Sequence, residues 1–342
     1  MSSTSQPTTF SDLYTQLENS VRATTGISAT DTIAKRLINT ALQDIAFGTD
    51  YKLPWMERRA ILTTHAPYTT GTVDIAVGST TVTGTSSLWN TATDYGFNNA
   101  RTTGKFLPSG STDIYRVTAV GSDTSLSLEN RYIASAAADD ATYIYFEDEY
   151  ALASDFLRPV DFQMFSDDYN IRLISRRDFR MQYPRPNVSG RPRVGCIVDI
   201  GFSSSTTPVR RVQFYPYPDA VYAIPYTYIT SNLAVSSAGV EASAMSSDTD
   251  EPNMPLRYRH LIVLHALYNW YRDHKDDARS QEAKAEYTDA MLRLLGDREV
   301  ATHTGAQIQP RSEYYVGRAK RPWRQRGGRT MDINDAFDRF EL

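Results

Sequence analysis

Three sets of residues in this sequence could do chemistry, and their spacing decides what kind. The run Glu147-Asp148-Glu149 offers adjacent carboxylates, the acid/base set of a glycoside hydrolase. Successive residues of an extended chain point to opposite faces, so three in a row cannot converge on one substrate, and the run is predicted to be a solvated strand end. His260, His265 and His274 suggest a metal. Two ligands on one helix face need an i, i+4 pair, as in the HExxH zinc hydrolases, and the separations here are five and nine residues. Helix-borne histidines packed beside tyrosines or carboxylates are expected instead. Cys196 lies in Val194-Gly195-Cys196-Ile197-Val198, an apolar run that reads as a strand and predicts a buried, inert thiol. No Gly-rich loop followed by Lys-Ser/Thr is present to cradle a phosphate. The sequence therefore assigns no catalytic, cofactor-binding or metal-ligating residue.

A different chemistry is written in residues 310–329, which carry seven basic residues and one acid and show no hydrophobic period. Arg311, Arg318, Lys320, Arg321, Arg324 and Arg326 are interleaved with Tyr314, Tyr315 and Trp323. Cations among aromatics can bind single-stranded nucleic acid, through phosphate contacts and base stacking, or an acidic protein surface. Without a core of its own, the segment 310–342 reads as an extended arm.

The elements that must position these residues follow from composition and period. The 342-residue chain is 41% hydrophobic and 22% charged, which describes a globular protein able to bury a core. With one cysteine it can form neither an internal disulfide nor a thiol metal cluster. A net charge of −4 advertises neither nucleic-acid nor membrane binding for the whole chain. Residues 1–9 lack the basic start and apolar run of a signal peptide, and no stretch approaches the roughly 18 to 20 apolar residues of a membrane helix. Folding in a reducing cytoplasm is expected. Twenty-two tyrosines against four tryptophans fit either an interface-rich surface or a Tyr-rich β protein.

Helical spacing runs through Phe10, Leu13, Leu17 and Val21, with Thr9 or Ser11 to cap, and again through Ile33, Leu37, Ile38, Leu42 and Ile45, closing at Gly48. The period then changes. Val73, Ile75 and Val77 alternate with polar or small residues, Gly78-Ser79 turns, and Thr80 to Gly84 returns, predicting a β-hairpin. Short strands follow at 114–120, 126–128 and 143–146, so residues 60–146 suggest a small antiparallel barrel or sandwich. A short helix is expected near 175–181, and a proline-rich loop at 183–192. Strands at 212–215 and 221–229 read as a hairpin around Pro216-Tyr217-Pro218-Asp219, with Tyr222, Ile224, Tyr226 and Tyr228 on one face. Two helices close the pattern, one of about 20 residues from Pro255 and one that follows Asp276 and Asp277 and stops before Gly296.

The N-terminal helix pair, the hairpin Gly71-Thr72-Val73 to Gly84-Thr85, Val212-Gln213-Phe214-Tyr215-Pro216 and the stretch 252–295 together resemble the head-to-tail adaptor (connector) proteins of tailed bacteriophages. The likeness is closest at Pro255-Leu256-Arg257-Tyr258-Arg259-His260 and at Tyr271-Arg272-Asp273-His274-Lys275-Asp276-Asp277. It implies an α+β fold: a helical bundle core, an inserted small antiparallel β barrel or sandwich, and an extended C-terminal arm. The corresponding segments are 1–59, 60–149, 150–309 and 310–342. It also implies a non-enzymatic virion subunit at the portal vertex, made in the host cytoplasm, about twelve copies of which form a ring between portal and tail with a channel for DNA. No cofactor is implied. Its partners would be the portal, a tail nozzle or other tail proteins, its own copies, and tail fibres through the β insertion, with DNA as passing cargo and no membrane. The arm is expected to dock on an acidic portal surface. The runner-up functions are a nozzle or fibre-docking protein, and then a tail-associated cell-wall hydrolase.

Overall fold

A computed structural model of the chain describes residues 6–21, 28–48, 53–164, 169–185, 187–200 and 209–307. The chain divides into two compact units: residues 1–50, 235–240 and 245–342 form the first, and 51–234 with 241–244 the second. The fold is mixed α+β, with five α-helices among the described residues: α1 (Phe10–Val21), α2 (Ser28–Phe47), α3 (Arg176–Gln182), α4 (His260–Asp273) and α5 (Asp277–Gln307).

In the first unit α1 opens where its sequence provides a reciprocal cap. Thr9 Oγ1 accepts from the Asp12 backbone N–H at 3.3 Å, and the Asp12 carboxylate accepts from the backbone N–H groups of Thr8 and Thr9 at 3.1 Å each. These bonds, led by the one from the Thr8 hydroxyl, hold Asp12 below the usual carboxylate range. α2 ends at Gly48, whose N–H reaches Asp44 O at 2.8 Å and where a Cβ would collide with that same carbonyl. Helices α1, α2 and α4 pack on one another, and α5 packs on α4. Leu13, Leu17, Ile38, Ile45, Leu261 and Ala266 are buried along these helices, on the stripes the period predicts.

Two boundaries differ from expectation. Residues 256–258 form a 3₁₀ turn after Pro255, and α4 begins only at His260, so the expected 20-residue helix is 14 residues long. Arg259 fixes that entry, donating from Nε to Met254 O at 3.0 Å and from Nη2 to Glu251 at 3.0 Å and Pro252 O at 3.2 Å. The last helix passes through Gly296 to Gln307. A helical glycine costs about 1 kcal/mol relative to alanine, which weakens a helix without ending it.

The second unit is built from strands. β1 (Glu57–Thr63) enters it. Next come β2 (Thr72–Ile75), β3 (Thr81–Thr85), β4 (Lys105–Pro108), β5 (Tyr115–Ser122), β6 (Ser125–Leu128), β7 (Ala138–Ala141) and β8 (Tyr143–Phe146). These seven form one antiparallel sheet in the order β7-β2-β3-β6-β5-β4-β8, curled into a half-barrel rather than a closed barrel or a sandwich. Its core holds Val73, Ile75, Val82, Trp89, Phe106 and Leu126. The predicted hairpin is β2 and β3, registered with Val73 opposite Gly84. Gly84 is required there because a Cβ would meet the Trp89 ring at 2.7 Å.

The chain continues through β9 (Glu149–Ala151), β10 (Phe156–Met164), β11 (Tyr169–Asn170), β12 (Arg172–Leu173), β13 (Val194–Ile200), β14 (Val209–Tyr215) and β15 (Ala223–Thr230), with α3 between β12 and β13. They make two four-stranded sheets, β1-β15-β10-β11 and β12-β13-β14-β9. β14 and β15, expected to pair as a hairpin, therefore belong to different sheets. β15 instead pairs with β1, from Glu57 opposite Ile229 to Thr63 opposite Ala223. This arrangement buries Ile224, Tyr226 and Tyr228 with Phe156 and Phe162, as their common face requires. Tyr115, Tyr143, Tyr145, Tyr150, Tyr226 and Tyr228 all lie in β cores, so much of the tyrosine excess serves packing rather than surface.

Candidate functional site

The acidic run sits where the half-barrel strand β8 passes into β9. It is not a solvated strand end. The side chains of Glu147 and Asp148 are 3% and 0% exposed. Glu147 Oε1 accepts from Arg101 Nε at 2.8 Å, from Arg101 Nη2 at 2.6 Å and from the Tyr145 hydroxyl at 2.7 Å. Asp148 Oδ2 accepts from Lys105 Nζ at 2.5 Å and from Gln213 Nε2 at 2.7 Å. Alternation does send the two carboxylates to different partners, as predicted, but each meets a cation supplied by the segment just before β4 or by its first residue. Burying a carboxylate is tolerable only with such a partner.

Burial pushes the Glu147 carboxyl up, opposed by the Arg101 charge and by the hydrogen bonds from Tyr145 and Arg101. His65 Nε2 lies 3.9 Å from Glu147 Oε2, yet burial, with Arg101 nearby, depresses His65 to about 3. The imidazole is thus neutral at ordinary pH, and Glu147 is compensated chiefly by Arg101, with a smaller contribution from Arg211. Beside this pair opens a cleft of about 290 Å³ lined by His65, Tyr68, Tyr95, Phe97, Asn98 and Arg101. The His65 ring stands edge-on to Phe97 at 3.8 Å, Tyr95 stacks on Phe97 at 5.9 Å, and the Arg101 guanidinium lies 4.7 Å from the Phe97 centroid.

This geometry argues against acid/base hydrolysis. A retaining or inverting glycosidase needs two carboxyl groups facing one substrate, with room between them for the sugar or a water. Glu147 and Asp148 face separate cations and are closed to solvent. Their arrangement ties the half-barrel to β14, through Gln213, and works as an internal brace.

The other candidates separate as well. His260 Nδ1 lies 3.1 Å from Arg257 O, and His274 Nδ1 lies 2.8 Å from Trp270 O, its ring stacked on Trp270 at 4.5 Å. His265 packs against Tyr287 at 4.8 Å, with Asn269 Nδ2 3.2 Å from its Nδ1 and Asp44 at 3.9 Å. Only His265 packs beside a tyrosine and a carboxylate as expected, while His260 and His274 are exposed on the helix. Among the described residues no group of three or more His, Cys, Asp or Glu side chains could hold a metal ion. Cys196 is fully buried in β13 against Phe179 and Val198, and burial pushes its thiol up to about 11, which keeps it protonated at ordinary pH. The arm residues from Arg311 to Arg326 lie outside the described residues. Sequence reasoning missed Arg101 and Lys105 as partners of the acidic run, since nothing local marks two cations more than 40 residues upstream.

No helix among the described residues is long and apolar enough to cross a membrane. No curated protein matches the chain. The sequence model of the SU10 adaptor protein family matches residues 106–311, from β4 through α5 and more than half of the chain. A scaffold of packed helices and braced sheets with that match places the chain in the SU10 adaptor family, a family of phage adaptor proteins.

Proposed function

We propose that the protein is a structural virion subunit without enzymatic activity, and that about twelve copies close into a ring joining the capsid portal to the tail and leaving a channel for DNA. Membership of a phage adaptor family carries the reading, because an adaptor acts through its contacts with other capsid or tail proteins. The brace at Glu147 and Asp148 supports it: the carboxylates best placed by sequence for hydrolysis are consumed in holding the fold. Helices α1, α2, α4 and α5 form the bundle core in this reading. Arg311, Tyr314, Tyr315, Arg318, Lys320, Arg321, Trp323, Arg324 and Arg326 belong to the arm that grips the portal. Its cations meet an acidic surface there and its aromatics provide the apolar anchors.

Electron microscopy of the purified full chain, alone and mixed with portal, tests this. A ring of about twelve copies seated on the portal is the expected result. A monomer that never co-sediments with portal overturns the reading. Peptidoglycan cleavage by the pure protein, lost on Glu147→Gln, overturns its non-enzymatic part.

A further inference from the structure

Between residues 172 and 193 the chain carries seven arginines, no lysine and one acid, Asp178. All seven arginines are exposed. Asp178 is engaged at the N-terminus of α3, where Ser175 Oγ accepts from its backbone N–H at 3.1 Å and donates to its carboxylate at 2.8 Å. Arg172, Arg176, Arg177, Arg180 and Arg193 have no carboxylate partner among the described residues. The element that displays them is fixed from beneath. Phe179 packs on Cys196 and Val198, and Tyr183 stacks on Tyr215 at 4.0 Å, which leaves Arg176, Arg177, Arg180 and Met181 outward. Met181 is 70% exposed. Just beyond α3, Pro184 and Arg185 line a groove of about 600 Å³ whose other side carries Arg131 and Ile133, the latter 74% exposed, with Lys105 and with Asp113, which lies 3.7 Å from Arg185 Nη2.

A surface rich in exposed arginine, whose groove lysine, Lys105, is already held by Asp148, and studded with exposed Met181 and Ile133 has the composition of a protein interface core. A surface for DNA phosphates would gain nothing from the two apolar side chains. What fits is an acidic segment with apolar anchors, and this chain contains one. Residues 331–342 carry Asp332, Asp335, Asp338 and Glu341 against the single Arg339, together with Ile333, Phe337 and Phe340.

We infer that the arginine face of α3 with its adjoining groove is the docking surface for the acidic segment 331–342 of a second copy of this chain. This rests on the ring reading and deepens it, since a contact from one copy's segment to the next copy's β unit is heterologous and propagates around a ring. Carboxylates pair with the guanidinium groups, and the aromatic side chains cover Met181 and Ile133.

The test uses the full chain with Asp332→Lys, Asp335→Lys and Asp338→Lys, whose own segment no longer competes, and a fluorescent peptide of residues 330–342. The peptide should bind, and adding Arg176→Glu, Arg177→Glu and Arg180→Glu should weaken it at least about tenfold. A peptide carrying the three lysines should regain affinity for that receptor. Mixing the Asp→Lys chain with the Arg→Glu chain should restore association that each has lost alone in sedimentation velocity. The arginines are exposed, so melting of the variants should match the parent and exclude misfolding. Absence of peptide binding, or binding indifferent to the arginines, overturns the inference. So does duplex DNA binding that the Arg→Glu changes abolish while the Asp→Lys changes leave association intact. A ring that survives every substitution keeps the adaptor reading and removes this contact from it.

Discussion

Arg101 Nη2 lies 2.6 Å from Glu147 Oε1, a pairing of residues 46 apart in sequence that closes the half-barrel's last strand onto the segment leading into β4. Removing the cation leaves a buried carboxylate bonded only to the Tyr145 hydroxyl. Arg101→Ala should therefore cost about 3 kcal/mol in denaturant unfolding. The double variant Arg101→Met, Glu147→Leu should recover most of the loss, because an apolar pair of similar volume has no charge to desolvate. A cost below about 0.5 kcal/mol for Arg101→Ala would show that the pair is not a brace.

His65 gives the second unit a pH dependence. It faces Arg101, Glu147 and Tyr150, and in the folded chain it takes a proton only near pH 3, whereas the unfolded chain takes one near 6.5. The unfolded state thus binds more protons between these values. Stability from this group is full above about 6.5 and is lost as pH falls toward 3. Urea unfolding at a series of pH values should show that decline, and His65→Phe should make it shallower over the same window.

Two glycines should respond differently to alanine. At Gly104 a Cβ would overlap the Tyr145 ring, whose hydroxyl donates to Glu147 and accepts from the Arg101 backbone N–H at 2.7 Å. Gly104→Ala should cost about 3 kcal/mol by displacing that ring. Gly78 has a φ of +78° and nothing within 4 Å of its added Cβ, so Gly78→Ala should cost only the backbone strain, about 1 kcal/mol. Equal costs at the two sites, read by thermal unfolding, would contradict the close approach at Tyr145.

The proposed portal arm should separate assembly from folding. Deleting residues from 310 onward should leave the melting of the free protein nearly unchanged and weaken its binding to portal, with Trp323→Ala reproducing part of the loss. Calorimetry and co-sedimentation with portal check both halves. Unfolding of the truncated chain, or undiminished portal binding, would remove the arm from the portal contact.

The sequence alone determined what depends on local period and on the chemistry of single residues. The stripes of α1, α2 and α4 were legible because 3.6-residue spacing has to face a core. The β2–β3 hairpin was legible in strict alternation around Gly78, and the inertness of Cys196 in its apolar neighbours. The arginines of 172–193 were also visible in composition, but only the burial of Phe179 beneath α3, with Tyr183 stacked on Tyr215 at its end, turns a charge run into a face. The tertiary structure decided everything that depends on which distant segments meet. Glu147 and Asp148 read as solvated because a buried carboxylate needs a cation, and the sequence cannot say that Arg101 and Lys105 arrive beside them. β15 read as the partner of β14, yet it pairs with β1, more than 150 residues away. A strand's own pattern records that one face is buried, but its partner is fixed by the long-range packing that buries the most apolar surface on that face.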